Sequence, residues 1–265
     1  MTKNTISFPG LGIGPFTVTE GFHFFGLSIH WYGVLIALGI VLAYLYGKQK
    51  ASKRNISAET ILDIILYGLP SAIVGARLYY VIFSWSEFRD DILSIFRVWE
   101  GGIAIYGAII GAFISTVVYC RVKKLSLPRI LDVCAFGLLI GQIIGRWGNF
   151  INAEAYGSVT ETALFRMKLI NLGTMVHPTF LYESLWNLLV FGCLHVYEKH
   201  QRFDGELFAF YLSSYGLGRM MIEGLRSDSL FLGPLRISQW VAGACFVLGI
   251  VYIVVKRYYQ KQKTA

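Results

Sequence analysis

AFGLLIGQIIGRWGNFINAEAYG, residues 135–157, is the stretch that decides the fold. Ala135–Ile144 carry no charge, and Arg146, Asn149, Asn152 and Glu154 follow directly. A charged side chain is costly beside hydrocarbon and marks a functional position when it stands there. The run is long enough, with the apolar residues before it, to cross a bilayer, which needs about 20 such residues. The polar residues then lie where that helix leaves the hydrocarbon.

The composition agrees. The chain has 265 residues, of which 55% are hydrophobic and 15% charged, and its mean hydropathy is +0.55. Soluble domains carry about a quarter charged residues, so this is a membrane composition. Cys120, Cys134, Cys193 and Cys245 all stand in apolar segments, without a CxxC pair or zinc-ligand spacing, and read as buried free thiols. No metal site is expected. The opening MTKNTISFPGLGIGPF lacks a basic region followed by an apolar core and a small-residue cleavage site. The first apolar helix is therefore expected to act as an uncleaved signal anchor.

Seven segments are expected to span: 27–47, 60–83, 101–120, 130–150, 178–197, 206–225 and 237–255. The fold class expected is an all-α polytopic membrane protein forming a single domain over 1–265. Arg77 weakens the second span, and Arg219 with Glu223 the sixth. Basic loops follow the first, third, fifth and seventh spans: KQKASKR (48–54), RVKKLSLPR (121–129), EKHQR (198–202) and KRYYQKQK (256–263). The positive-inside bias makes them cytoplasmic, with the N-terminus outside and the C-terminus inside. Topology thus accounts for the +8 net charge, and nucleic acid is not an expected partner. SWSEFRDDILSIFRVWE (84–100) alternates charge with large apolar residues and is expected to form an amphipathic helix on the membrane surface. Residues 151–176 are expected to form a small extracellular cap. Gly137, Gly141 and Gly145, like Gly107 and Gly111, recur every four residues and suit close helix packing.

A rise of about 1.5 Å per residue assigns depths. Arg77, Arg146 and Arg219 come to roughly 25, 24 and 20 Å from the cytoplasmic starts of their helices. His30 and Tyr32 open the first span from the outside, Tyr106 stands near the outer entrance of the third, and His177, Tyr182 and Glu183 open the fifth. Polar groups of six helices therefore share the outer third of the membrane. Deeper lie Asp63 and Asp132, which read as favourable first-turn carboxylates. In YGLGRMMIEGLR (215–226), Arg219, Glu223 and Arg226 fall on one helix face. Arg219 and Glu223 can pair there. Arginine is the side chain best shaped to grip a phosphate, so the cluster suggests a phospholipid phosphate.

At this point the chain resembles a known family. GRWGNFINAEAYG (145–157) resembles the signature G-R-x-G-N-F-x-N-x-E-x-x-G of the bacterial phosphatidylglycerol–prolipoprotein diacylglyceryl transferases, with all eight fixed positions matched. HWYG (30–33), GARLYYV (75–81), WEGGIAIYG (99–107), HPTFLYE (177–183) and YGLGRMMIEGLR (215–226) follow in the family's order. The resemblance implies a multi-pass enzyme of the bacterial cytoplasmic membrane, with its active site facing the outer leaflet. It would move the diacylglyceryl group of phosphatidylglycerol to the lipobox cysteine of a preprolipoprotein signal peptide, releasing glycerol 1-phosphate, without cofactor or metal. Arg146 and Arg219 match the arginines expected to hold the phosphate. Tyr32, Asn149 and Gly157 match residues important in the family, and Glu154, Glu223 and Arg226 match supporting polar residues. His30 and His177 also fall where the family has histidine, and Asn152 is expected to help orient the glycerol and Arg77 to bind substrate.

One position departs. Many members carry a histidine, proposed as the base, where GGIAIYG has Tyr106. A histidine near 6.5 can take the proton of a thiol near 8.5, whereas a tyrosine near 10 is protonated at neutral pH. Tyr106 is left as a hydrogen-bonding or basic group, with His30 or the phosphate as alternative proton acceptors. Two other readings stand beside the enzyme. One is an organic-anion or lipid transporter, disfavoured by the sparse polar residues of the inner half. The other is a membrane protein that binds phospholipid without turnover.

Overall fold

Inside a bilayer a backbone satisfies its own hydrogen bonds most simply as helix, and the apolar runs of this chain do so. The computed structural model describes residues 3–226 and 231–264. Its α-helices are α1 (Trp31–Ser52), α2 (Ala58–Phe83), α3 (Ile105–Val122), α4 (Leu127–Ile151), α5 (Thr179–Tyr197), α6 (Glu206–Glu223) and α7 (Ile237–Thr264). Five of them, α1 to α4 and α7, are long and apolar enough to cross a membrane by length and composition, so the protein is a polytopic membrane protein. α5 and α6 fall short on that measure. They are as long as α3, at 19 and 18 residues, but carry more polar groups, Glu183 in α5 and Glu206, Arg219 and Glu223 in α6.

The helix limits differ from the expected ones for local reasons. Residues 27–30 belong to a strand, so α1 starts at Trp31. Gly101 and Gly102 hold φ at 91° and 68°, outside the helical region, and α3 starts after them. Ser57 accepts the N–H of Thr60 and caps α2. α7 runs on through the basic KRYYQKQK tail.

The expectation of an all-α fold is corrected by strands. β1 (Lys3–Phe8), β2 (Ile13–Thr19), β5 (Met167–Leu169) and β6 (Thr174–Val176) form an antiparallel sheet in the order β2-β1-β5-β6, with Ile6 opposite Leu169. β3 (Gly21–Phe24) pairs with β4 (Leu27–His30), and β7 (Phe231–Leu232) with β8 (Leu235–Arg236). The cap expected from 151–176 is thus completed by the chain's own N-terminal residues. Its core of Ile6, Phe8, Met167, Leu169, Val176 and Phe180 packs on Phe150. The Phe150 and Phe180 rings lie 4.8 Å apart, which seats the sheet on the end of α4 and the start of α5.

The described residues divide into two compact units, one of Met1–Tyr46 with Leu131–Ala265, the other of Gly47–Ile130. In the first, Ala135, Phe136 and Leu139 of α4 pack with Val190 and Leu194 of α5 and Leu207 and Tyr211 of α6. Gly39 and Ala43 of α1 run along the glycine face of α4, near Gly141 and Gly137. Asp132 of α4 reaches the start of a neighbouring helix. Its buried carboxylate accepts the N–H groups of Gly205 and Phe208 at 2.8 and 3.0 Å and the amide of Gln201 at 2.7 Å, capping α6 from α4. Removing the carboxylate takes the acceptor from the Gly205 and Phe208 N–H groups, at about 1–3 kcal/mol. Asp132→Ala is expected to lower the unfolding temperature of the solubilised protein while leaving the KM for lipid unchanged.

In the second unit α2 crosses α3 at glycines. A Cβ on Gly107 would stand 2.3 Å from the carbonyl oxygen of Gly75, so the helices meet backbone to backbone. Asp63 accepts from Tyr119 at 2.7 Å. The segment 84–100 is not the surface α-helix expected from its alternation, but three short 3₁₀ turns at Trp85–Glu87, Ile92–Phe96 and Val98–Glu100. The reason is Arg77. Its five guanidinium N–H groups donate to the carbonyls of Ser94, Ile95, Arg97, Gly101 and Gly102, drawing the segment around a buried side chain instead of a helix axis. Arg97 ties the same segment to Asp91 and Glu100. That hydrogen bond from Arg97 holds the Asp91 carboxyl below the usual carboxylate range.

Candidate active site

Three helices of the first unit bring their charges together. Arg146, in the last turns of α4, and Arg219, near the end of α6, both reach Glu183 in the second turn of α5. Arg146 Nη2 lies 2.6 Å from Glu183 Oε2 and Arg219 Nη1 lies 2.6 Å from Glu183 Oε1. One carboxylate therefore bridges two guanidiniums. The pair expected along α6 is also present, with Arg219 Nη2 2.5 Å from Glu223 Oε2, and Arg226 Nε stands 3.9 Å from the same oxygen. Both carboxylates are buried, at 2% and 3% exposure, while Arg146 and Arg219 keep 23% and 17%. The arginines can therefore meet a ligand that the carboxylates cannot.

The charge count follows. Three guanidiniums against two carboxylates leave one positive charge in excess. Adding Glu154 and Arg236, which border the cluster, keeps that excess. A phosphodiester carries one negative charge and neutralises it.

The signature supplies a second tier. Asn149 Oδ1 accepts from Arg146 at 3.4 Å, and its amide donates to Glu154 at 3.0 Å. Asn152 donates to the same Glu154 oxygen at 3.4 Å. Ala153 and Ala155 hold φ at 50° and 54°, a left-handed conformation uncommon outside glycine. Glu154 is thus presented by a strained turn, of the kind that gathers at functional sites. Tyr182, beside Glu183, shares a 3.3 Å hydrogen bond with His177 Nδ1.

Gly157 and Gly148 are close approaches. The Gly157 N–H donates to the His177 carbonyl at 2.8 Å, and Ser158 N–H to the Leu225 carbonyl at 2.6 Å, so the cap is laced to the start of α5 and the end of α6. A Cβ on Gly157 would lie 2.7 Å from His177 Cβ and 2.9 Å from the Leu225 oxygen. One on Gly148 would lie 2.3 Å from the Tyr32 ring. The Tyr32 ring is thus packed closely on the signature helix at Gly148. Gly157→Ala is expected to lower activity at least tenfold with a smaller loss of stability, measured as initial rate beside thermal unfolding.

The remaining candidates are placed differently. His30 ends β4, exposed and paired with Gly21. Tyr106 and Arg77 belong to the second unit. Tyr106 is half-buried at the start of α3, its ring 6.4 Å from that of Tyr79. Arg77 has its donors committed to the 94–102 carbonyls and is withdrawn from the lipid contacts proposed below. Glu183 was visible as a polar residue opening the fifth apolar segment, but its pairing across helices was not foreseen. Arg236 and Ser238 were not singled out at all. Arg236 donates to the carbonyls of Glu223 and Arg226, and Ser238 to the Glu223 carboxylate. They fix the end of α6 and the carboxylate that orients Arg219.

The profile of the family described as prolipoprotein diacylglyceryl transferase matches residues 20–255. The chain belongs to that family. As a diacylglyceryl transferase it is an enzyme of the first step of lipoprotein maturation. Among its relatives, the phosphatidylglycerol–prolipoprotein diacylglyceryl transferase of Streptococcus suis (strain 05ZYH33) is 44% identical over 238 residues, covering 87% of this chain and 89% of the relative. That of Finegoldia magna is 46% identical over 231 residues, covering 87% and 92%. That of Lysinibacillus sphaericus (strain C3-41) is 42% identical over 248 residues, covering 89% and 91%. In this diacylglyceryl transferase the polar cluster is carried by the signature residues, by Glu183 of α5, and by Arg219, Glu223 and Arg226 at the end of α6.

Proposed function

We propose that the protein transfers the diacylglyceryl group of phosphatidylglycerol to the thiol of the lipobox cysteine in preprolipoprotein signal peptides, and that the Arg146–Glu183–Arg219 bridge is its phosphate site. One observation carries the reading: two partly exposed arginines, held by one buried carboxylate, leave a single excess positive charge at the end of apolar helices. The names borne by the relatives supply the donor and the acceptor. We read the whole chain as one transferase domain of the bacterial cell membrane. It spans seven times, with the N-terminus and the cap outside, the C-terminus in the cytoplasm, and the site facing the outer leaflet. The basic loops support that orientation.

Phosphatidylglycerol enters from the outer leaflet with its acyl chains remaining in lipid. Arg146 and Arg219 bind its phosphate. Asn149, Asn152 and Tyr32 orient the glycerol portions, and Glu154, Glu223, Arg226, His177 and Gly157 hold the surrounding frame. The acceptor thiolate attacks the diacylglycerol carbon that bears the phosphate. A C–S bond forms, the C–O bond breaks, and the oxygen leaves with glycerol 1-phosphate. Charge grows on that leaving group in the transition state, where pre-positioned cations act most strongly. His30 and Tyr106 are the candidates to receive the thiol proton. The carboxylates deeper in the first unit, Asp132 and Glu206, are occupied by Gly205, Phe208, Tyr197 and Arg257. They serve packing, which favours an enzyme over a transport path.

The test is transfer in vesicles containing the purified protein, phosphatidylglycerol and a lipobox peptide. The peptide should gain the mass of one diacylglyceryl group, and its Cys→Ser counterpart should gain none. Product formed equally well from phosphatidylethanolamine would refute the donor assignment. Transfer retained in Tyr106→Phe would leave the proton to His30 or the phosphate, and its loss would assign Tyr106 to the chemistry.

A further inference from the structure

The β3–β4 hairpin ends in an apolar tip that is left exposed among the described residues. Phe22, Phe24, Phe25 and Leu27 are exposed, Phe25 at 91% and Leu27 at 68%. The Phe24 and Phe25 rings pack edge-on at 4.7 Å, and Phe22 lies 5.0 Å from Trp31, the first residue of α1. Phe25 and Gly26 hold φ at 47° and 80°, the two-residue hairpin turn with positive φ at both positions that favours Asn-Gly. A bulky aromatic in that conformation is uncommon. The chain thus keeps a phenylalanine where the backbone disfavours one and where it touches little protein.

Connectivity says what the tip meets. β4 runs straight into α1, which is long and apolar enough to cross the membrane, and Trp31 hydrogen-bonds back to Glu20 at the base of the hairpin. Four residues of strand span about 13 Å, so the tip stays within that distance of the point where α1 enters the bilayer. Between Asn4 and Gly47 the only formal charge is Glu20. A partner recognised by charge is not indicated, whereas Phe and Leu side chains beside an entering helix suit burial at the headgroup–acyl boundary.

We propose that the β3–β4 hairpin is a membrane wedge, with Phe24, Phe25 and Leu27 inserted among the lipids of the leaflet that α1 enters at Trp31. The wedge holds the base of the hairpin, and with it His30 and Tyr32, at the interface. Its occupant is phospholipid, and insertion is driven by apolar burial, so it is insensitive to salt.

Spin labels test it in protein whose four cysteines have been replaced, reconstituted in phosphatidylglycerol-containing vesicles. Labels are introduced separately by Phe25→Cys and Leu27→Cys, so that a folding failure of one leaves the other. Leu248→Cys on α7 is the hydrocarbon control, and Glu161→Cys in the cap the aqueous control. Collision with oxygen relative to a water-soluble nickel complex should be severalfold higher at 25 and 27 than at 161, approaching 248, and unchanged in high salt. Values at 25 and 27 equal to those at 161 would overturn the proposal. So would protection from both reagents, which would mean that protein covers the tip.

Discussion

Arg146→Ala and Arg219→Ala should each lower transfer about 100- to 1,000-fold, the usual loss when one positioned donor to a developing anion is removed. The double variant should be little worse than either single one. Glu183 joins the two guanidiniums at 2.6 Å on each side, so losing one frees the carboxylate to draw the other away from the lipid. Groups that act as one unit give non-additive losses. Lysine in place of either arginine should recover part of the rate, because it keeps the charge and loses the two-pronged geometry. Initial rates of the wild type, the two alanine variants, their double and the two lysine variants form the measurement. Losses that multiply in the double variant would show two independent sites.

Glu183→Gln is the second large effect, and it splits the kinetic constants. The substitution keeps the shape but removes the charge that holds both arginines. Misplacing a reacting partner by about 1 Å costs about 100-fold, and kcat should fall by that order. The KM for phosphatidylglycerol should stay level or fall, since the site's positive excess rises when a carboxylate is neutralised. Glu183→Asp should sit between the two. A kcat unchanged in Glu183→Gln would mean that the bridge has no part in positioning. A KM increase alone would mean that Glu183 serves binding.

The contrast between Glu183 and Glu223 shows how far a sequence carries such a site. Glu223 stands four residues after Arg219, and helical spacing alone predicts their pair. Glu183 meets Arg146 and Arg219 only because α4, α5 and α6 pack together, and no local spacing encodes that. The helices themselves were legible, because apolar runs between basic loops leave the backbone little alternative. Their ends were less so, since strand pairing and paired glycines with positive φ override the apolar signal at residues 27–30 and 101–104.

The sheet was hidden for another reason. Its strands are short, and Ile6 pairs with Leu169 across most of the chain, a partnership set by the shared core over Phe150 and Phe180. The 84–100 segment carries a pattern that suits an amphipathic helix. Arg77 prevails over it by taking the carbonyls of Ser94, Ile95 and Arg97. The residue that looked like an intramembrane ligand group is thus the organiser of a loop.

The most direct test of the account follows one oxygen. Phosphatidylglycerol labelled with ¹⁸O in the atom joining diacylglycerol to phosphorus is incubated with the reconstituted protein and a lipobox peptide, and both products are weighed by mass spectrometry. The account predicts an unlabelled S-diacylglyceryl peptide and glycerol 1-phosphate that carries the ¹⁸O, because the C–O bond breaks at a phosphate held by Arg146 and Arg219. Label retained on diacylglycerol, or glycerol phosphate released without a modified peptide, would contradict it.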